Sequence, residues 1–261
     1  MRLAVLGATG RVGRLVVAEA MAAHDLDLVA AVATDIPGED AGRVAGTSDA
    51  GVVLAPVAEG CFARAEVVVD FSTPEGLMEA LPHLGSGALV TGTTGLGQEE
   101  TNRLLARSEV APVLSAPNFS TGVTLLLDLV RRTAEALPDY DVEVVETHHR
   151  NKIDAPSGTA LALARAAARA HGTDLENRAV FGRAGRTGPR ETGDIGVHAV
   201  RMGDVVGEHQ VWFAGRGDRV LIGHTATSRT TFAEGALRAV RWIRGKPPGR
   251  YDMRDVLGLL Q

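Results

Sequence analysis

Cysteine is almost absent from this 261-residue chain: Cys61 stands alone, so no intramolecular disulfide can form. A chain of this length can bury a sizeable core without one, and the lone thiol fits a reducing compartment. Long apolar runs are missing too. None approaches the roughly 20 residues of a membrane span, and the stretch after Arg2 stops at Gly7, too short for a secretory leader. The expected location is therefore the cytoplasm, with no membrane partner. There is no basic excess: 27 Lys plus Arg face 32 Asp plus Glu, for a net charge of −5, which argues against a nucleic-acid partner. Lysine is scarcer still. Of the 27 basic residues 25 are Arg, leaving only Lys152 and Lys246. Arg never releases its proton in a protein, whereas Lys can. Lys152 is thus a candidate for work that arginine cannot do; Lys246, between Gly245 and Pro247, reads as incidental.

The apolar run at residues 2–6, the helical spacing from Leu15 to Ala22, and further runs at 28–32, 67–71, 88–90 and 112–115 alternate strand with helix. That pattern predicts βαβ units around a parallel sheet. After residue 120 the texture changes. A long helix is expected over 121–137 and a strand over 141–147, with Val142, Val144 and Val145 set against Glu143 and Glu146. A helix follows over 158–171 with Ser157 as N-cap, then a long Gly/Arg/Thr loop over 172–194. Three alternating runs, 195–202, 205–213 and 219–225, read as an antiparallel meander, and a last helix is expected from about 231 to 244. The fold class is thus α/β: a Rossmann-type dinucleotide-binding domain over 1–119, with segment 229–261 packing back on it. The second domain, over 120–228, is α+β with an open, mainly antiparallel sheet, serving substrate binding and oligomerisation. Its exposed sheet edge predicts pairing between subunits.

Gly7, Gly10 and Gly13 follow the first strand and open the first helix. Each suits a stage of pyrophosphate binding: the tight turn, the close backbone approach, and helix–sheet packing. Gly7, Ala8, Thr9, Gly10, Arg11 and Val12 are therefore candidate dinucleotide-binding residues. A carboxylate after the second strand would hold a ribose 2′-hydroxyl, and a neighbouring Arg a 2′-phosphate. Asp35 is the nearest acid and has no Arg beside it, which favours NADH slightly over NADPH; Asp35 can equally be a turn residue before Pro37-Gly38. Gly92-Thr93-Thr94 and Ala116-Pro117-Asn118-Phe119 fall at later strand ends, where an open α/β sheet collects its ligand.

The segment His148-His149-Arg150-Asn151-Lys152 leads through Asp154-Ala155-Pro156 into Ser157-Gly158-Thr159. Two His, one Arg and one Lys ahead of a helix N-terminus make an anion pocket containing proton donors. The substrate inferred from it is small and carries one or more carboxylates. Adjacent histidines are a poor spacing for two metal ligands, so no metal is expected. A binding protein that senses nucleotide without turnover would keep the glycine loop but need no acid pair, and another imine reductase or amino-acid dehydrogenase would share both features.

The run His-His-x-x-Lys-x-Asp-Ala-Pro-Ser-Gly-Thr-Ala resembles the motif of the 4-hydroxy-tetrahydrodipicolinate reductase (dihydrodipicolinate reductase) family of diaminopimelate and lysine biosynthesis. The resemblance covers nearly the whole chain, including the glycine loop, Gly92–Gly95, Ala116–Ser120, Gly203–His209 and Tyr251–Leu257. It implies NAD(P)H-dependent reduction of 4-hydroxy-tetrahydrodipicolinate to tetrahydrodipicolinate with loss of water, in a homotetramer. It further implies His148 as acid/base and Lys152 as proton donor, with His149, Ser157, Gly158 and Thr159 binding the carboxylates of the substrate. One departure is that Ala33-Thr34 stands where many members carry an acid, sometimes with Arg, at the end of the second strand.

Overall fold

The computed structural model describes residues 1–259. In chain order its elements are β1 (Arg2–Leu6), α1 (Arg11–Ala22), β2 (Asp27–Val32), α2 (Ala41–Val44), β3 (Leu54–Ala55), β4 (Val67–Asp70), α3 (Pro74–Ala80), β5 (Ala88–Thr91), α4 (Gln98–Ser108) and β6 (Pro112–Ser115). There follow α5 (Thr121–Ala136), β7 (Asp141–His148), α6 (Gly158–Ala170), β8 (Ala179–Val180), β9 (Ile195–Arg201), β10 (Gly207–Ala214), β11 (Arg219–Ala226), α7 (Thr230–Ile243), β12 (Gly249–Tyr251) and α8 (Met253–Leu257). The chain divides into two compact units: Met1–Thr121 together with the segment from Thr230 onward, and Gly122–Arg229.

In the first unit seven strands form one sheet in the order β12-β6-β5-β4-β1-β2-β3, every pair parallel. Such strands are covered on both faces, which is why β1, β4 and β5 read as continuous apolar runs. One core joins Val5, Val16, Val69 and Val90 to Ala236, Val240 and Ile243 of α7; the other joins Leu6, Val68 and Leu89 to Leu77 and Leu104. Strand order reverses between β1 and β4, the switch point at which an open α/β sheet binds its ligand.

In the second unit five strands run β11-β10-β7-β9-β8. Pairs β10–β11 and β10–β7 are antiparallel, while β7–β9 and β8–β9 are parallel. The meander expected from the sequence is only half present: β10 and β11 form a hairpin, but β7 lies between β9 and β10. Val144, Val211 and Phe213 on the sheet pack with Leu163, Ala164 and Ala167 of α6 and with Leu126 and Val130 of α5. Ser157 caps α6, its hydroxyl accepting from Ala160 N at 3.2 Å. Among the described residues no helix is long and apolar enough to cross a membrane.

Candidate active site

The glycine loop is built by close approach. Gly7 has φ +75°, and a Cβ there would stand 2.6 Å from Phe71 O; one at Gly13 would stand 2.0 Å from Gly7 O, and one at Gly10 would stand 3.2 Å from that same oxygen. Glycine at 7 and 13 therefore lets β1, α1 and the end of β4 meet. Gly10 caps α1 without a side-chain bond, so the helix start, with Arg11 and Val12 in its first turn, is left to backbone N–H groups. Ala8 is buried in the core, and its N–H donates to Val32 O at 3.2 Å.

Beside this loop lies a cavity of about 320 Å³. Gly7, Thr9 and Gly10 line it with Ala33, Thr34, Asp35 and Phe71-Ser72-Thr73. Asp35, beyond the end of β2, accepts a hydrogen bond from Thr9 Oγ1 at 2.7 Å. The cradle of glycines, the uncapped helix start and this cavity at the switch point fit a dinucleotide.

Gly92 and Thr93 lie at the end of β5. The Thr93 hydroxyl points inward and donates to Asp70 Oδ2 at 2.7 Å, while Thr94 is exposed. Asp70, fully buried, also accepts from Thr91 Oγ1 at 2.6 Å, Ser72 Oγ at 2.5 Å and Ser72 N at 2.8 Å. The apolar run expected over 67–71 thus contains a buried carboxylate. In the next loop Pro117 is exposed, Ala116 is buried and its N–H donates to Thr91 O, and Asn118 Oδ1 accepts from Ser120 N at 2.8 Å. The Phe119 ring is a core side chain, edge-on to Phe71 at 5.3 Å, and its carbonyl packs against Gly235 of α7.

In the second unit the sheet register gathers one face. His209 pairs with Glu146 across β10–β7, His224 with His209 across β11–β10, and Arg201 with His148 across β9–β7. Parity puts Glu146 on the inward face of β7 with Val142 and Val144, correcting the expectation that it joins Glu143 on the outer one. Its carboxylate is fully buried. Oε1 accepts from Arg201 Nη2 at 2.8 Å and from Ser157 N at 2.9 Å; Oε2 accepts from Arg201 Nη1 at 2.8 Å and lies 2.5 Å from His148 Nδ1. Burial opposes ionisation of Glu146, but the bonds from Arg201, His148 and Ser157 outweigh it and hold its pKa below the usual value.

His148 thus ends β7 with Nδ1 engaged. His149 N–H donates to Val205 O at 2.7 Å, and its Nε2 lies 3.4 Å from Arg229 Nη2. Lys152 Nζ donates to Asp154 Oδ1 at 2.8 Å, and Arg201 Nη2 also reaches Asp154 O at 2.6 Å, tying the loop to the sheet. Ser157 Oγ lies 3.3 Å from His209 Nε2. Burial first, then His148, pushes the His209 pKa down to about 4, so this imidazole is neutral at neutral pH. Gly158 is exposed without positive φ, and a Cβ there would meet no protein atom within 4 Å; Thr159 follows in the first turn of α6. One turn of helix and one strand end therefore present a helix N-terminus beside a histidine and a lysine. Glu146, Arg201, His209 and Arg229 were not singled out from sequence; only strand parity at 146 could have signalled any of them. Among the described residues no group of three or more His, Cys, Asp or Glu side chains is placed to hold a metal.

Comparison with known proteins agrees over both units. Residues 1–119 match the family model "Dihydrodipicolinate reductase, N-terminus" and residues 122–257 match "Dihydrodipicolinate reductase, C-terminus". The chain is 48% identical to a 4-hydroxy-tetrahydrodipicolinate reductase of Alkalilimnicola ehrlichii and 49% identical to one of Thiobacillus denitrificans, in each case over 99% of both chains. A dipicolinate-bound dihydrodipicolinate reductase from Paenisporosarcina sp. TG-14 superposes with a TM-score of 0.76 at 25% identity, covering 97% of both chains. A probable dehydrogenase from Thermotoga maritima, 12% identical with a TM-score of 0.60 over 98% of this chain and 92% of its own, shares the fold. The chain belongs to the dihydrodipicolinate reductase family, a family of NAD(P)H-dependent oxidoreductases.

Proposed function

We propose that this chain reduces 4-hydroxy-tetrahydrodipicolinate to tetrahydrodipicolinate with loss of water, His148 and Lys152 handling protons and the start of α6 holding the carboxylates. The observation that carries this reading is the junction of β7 and α6: a histidine oriented through Nδ1 and the lysine of the loop between them flank a helix N-terminus whose Gly158 is open. The backbone N–H groups at Gly158 and Thr159, with the Ser157 hydroxyl and His149, suit a carboxylate. His148 and Lys152 suit the protonation that accompanies reduction of a C=C–C=N system and the departure of water. Arg229, beside His149, adds a fixed positive charge to that side. The dinucleotide, when bound, supplies the hydride.

Gly7, Thr9 and Gly10 with the first turn of α1 would hold its pyrophosphate, and the loops at Gly92–Thr94 and Ala116–Phe119 its nicotinamide half. Asp35, lining the cavity with no Arg adjacent in sequence, supports NADH over NADPH through a bond to the ribose 2′-hydroxyl. The reaction belongs in diaminopimelate and lysine biosynthesis, in the cytoplasm, and the assembly is a homotetramer; exposed Val200, Met202 and Leu221 on β9, β11 and the turn after β9 supply apolar surface for it.

The test is loss of absorbance at 340 nm with freshly generated hydroxy-tetrahydrodipicolinate and each dinucleotide in turn. Substrate-dependent oxidation is expected with both, at lower KM for NADH. For Lys152→Ala, kcat should fall roughly 10²–10⁴-fold, the range of general acid–base catalysis, with the dinucleotide Kd within about twofold of the parent. An unchanged kcat removes Lys152 from the mechanism, and no turnover with either dinucleotide removes the reaction.

A further inference from the structure

We infer that Glu146, clamped by Arg201, is a positioning residue that selects which ring nitrogen of His148 exchanges the substrate proton and, from the same carboxylate, fixes the N-terminus of α6. The inference rests on His148 being the acid/base group.

A carboxylate fully removed from water is costly unless every oxygen is matched by donors. Glu146 meets that demand with four bonds arranged in pairs. Each oxygen takes one N–H of the Arg201 guanidinium and one N–H of the site: Ser157 N on Oε1, His148 Nδ1 on Oε2. The guanidinium, bidentate at 2.8 Å on both arms, sets the plane of the carboxylate. An ionised carboxylate only accepts, so the Nδ1 of His148 must carry hydrogen. In the neutral ring Nε2 is then the bare acceptor, and in the charged ring Nε2–H is the proton free to leave. Nε2 is the ring nitrogen left out of that clamp. It faces Gly207 on the neighbouring strand, where a Cβ would sit 3.0 Å away. His209, edge-on to His148 at 5.3 Å, is neutral and places no second cation against the ring. The remaining charged groups around the pair are Arg201 and, on the loop that Arg201 anchors, Lys152 and Asp154.

Glutamine at 146 would replace one acceptor by an N–H₂ group aimed at two of the four donors, one of them on Arg201. Either the ring loses the partner that selects its Nδ1–H form or Ser157 N loses its acceptor. The experiment is a double-mutant cycle of Glu146→Gln and His148→Gln in the full-length protein, read as kcat and KM, with the dinucleotide Kd as a check on folding. Glu146→Gln alone should lower kcat about 10²-fold or more and raise the KM for the hydroxy-dicarboxylate. In the His148→Gln background the same change should lower kcat less than about threefold, because a residue acting through His148 has nothing left to act on. Glu146→Asp, which keeps the charge for Arg201 but withdraws it from the ring, is run through the same cycle and should show an intermediate loss with the same non-additivity. A loss in kcat that is as large without His148 as with it, or a kcat within threefold of the parent in both 146 variants, overturns the inference. A parent-like kcat in His148→Gln itself is a different result: it overturns the acid/base role on which the inference rests.

Discussion

Gly158 is a residue whose identity the protein's own packing does not require. Its backbone torsions suit any amino acid, and a side chain there would touch nothing of the protein. Glycine has a lower helix propensity than alanine, so the fold gains nothing from it. A ligand approaching the N–H groups closely, as in the function proposed above, would account for it. For Gly158→Ala we expect an unchanged or slightly higher melting temperature together with a KM for the hydroxy-dicarboxylate raised about tenfold or more, the cost of weakening one hydrogen bond to a charged group. Thermal melts and steady-state kinetics on the same sample decide it; a parent-like KM would remove Gly158 from the binding surface.

Among the elements, the junction of β1 with α1 carries the tightest steric demand. A methyl at Gly13 would overlap Gly7 O at 2.0 Å, forcing α1 off the sheet. Gly13→Ala should therefore destabilise the first unit by about 1–3 kcal/mol, the usual cost of overpacking, and weaken dinucleotide binding. Urea denaturation and fluorescence titration with NADH measure both; loss of neither would mean that the loop tolerates a Cβ. This junction was legible in the sequence because its parts are contiguous: an apolar run, three glycines and a helical pattern. The β7–α6 motif was legible for the same reason, down to Ser157 as N-cap. What stayed hidden depends on pairing at long range. Glu146 was read by its charge, which set it beside Glu143, whereas its parity in β7 turns it inward with Val142 and Val144. Its partner Arg201 is one of 25 arginines and arrives from a strand 55 residues away. Nor could short turns reveal that β7 inserts between β9 and β10. Asp70 escaped likewise, since Thr91 and Thr93, which satisfy it, belong to the next strand and its loop.

For the molecule as a whole, the buried histidine makes stability depend on pH. The folded-state pKa of His209 is about 4 against 6.5 when unfolded, so between those values the unfolded chain binds the extra proton. Stability from this group is complete above pH 6.5 and falls as the pH drops towards 4. By pH 5 the loss amounts to about 2 kcal/mol. His224, pushed down by burial, acts in the same direction, while Glu146, held below its usual value, adds its own loss only at lower pH. Denaturation midpoints at pH 7.5 and pH 5 should therefore differ, and His209→Gln should reduce the difference; an equal difference in the variant would assign it to other groups.

The amines of this chain have a chemical corollary. Apart from the terminal one, which donates to Asp25 O, only two exist: Lys246, whose Nζ sits 4.2 Å over the Trp242 ring, and Lys152 in the loop after β7. In most proteins a reagent or enzyme that acylates primary amines decorates a crowd of surface lysines. Here there are two side-chain amines, both half-buried, and one is the Lys152 ammonium paired with Asp154; with Lys152 as the proposed proton donor, acylation of that one group should stop turnover.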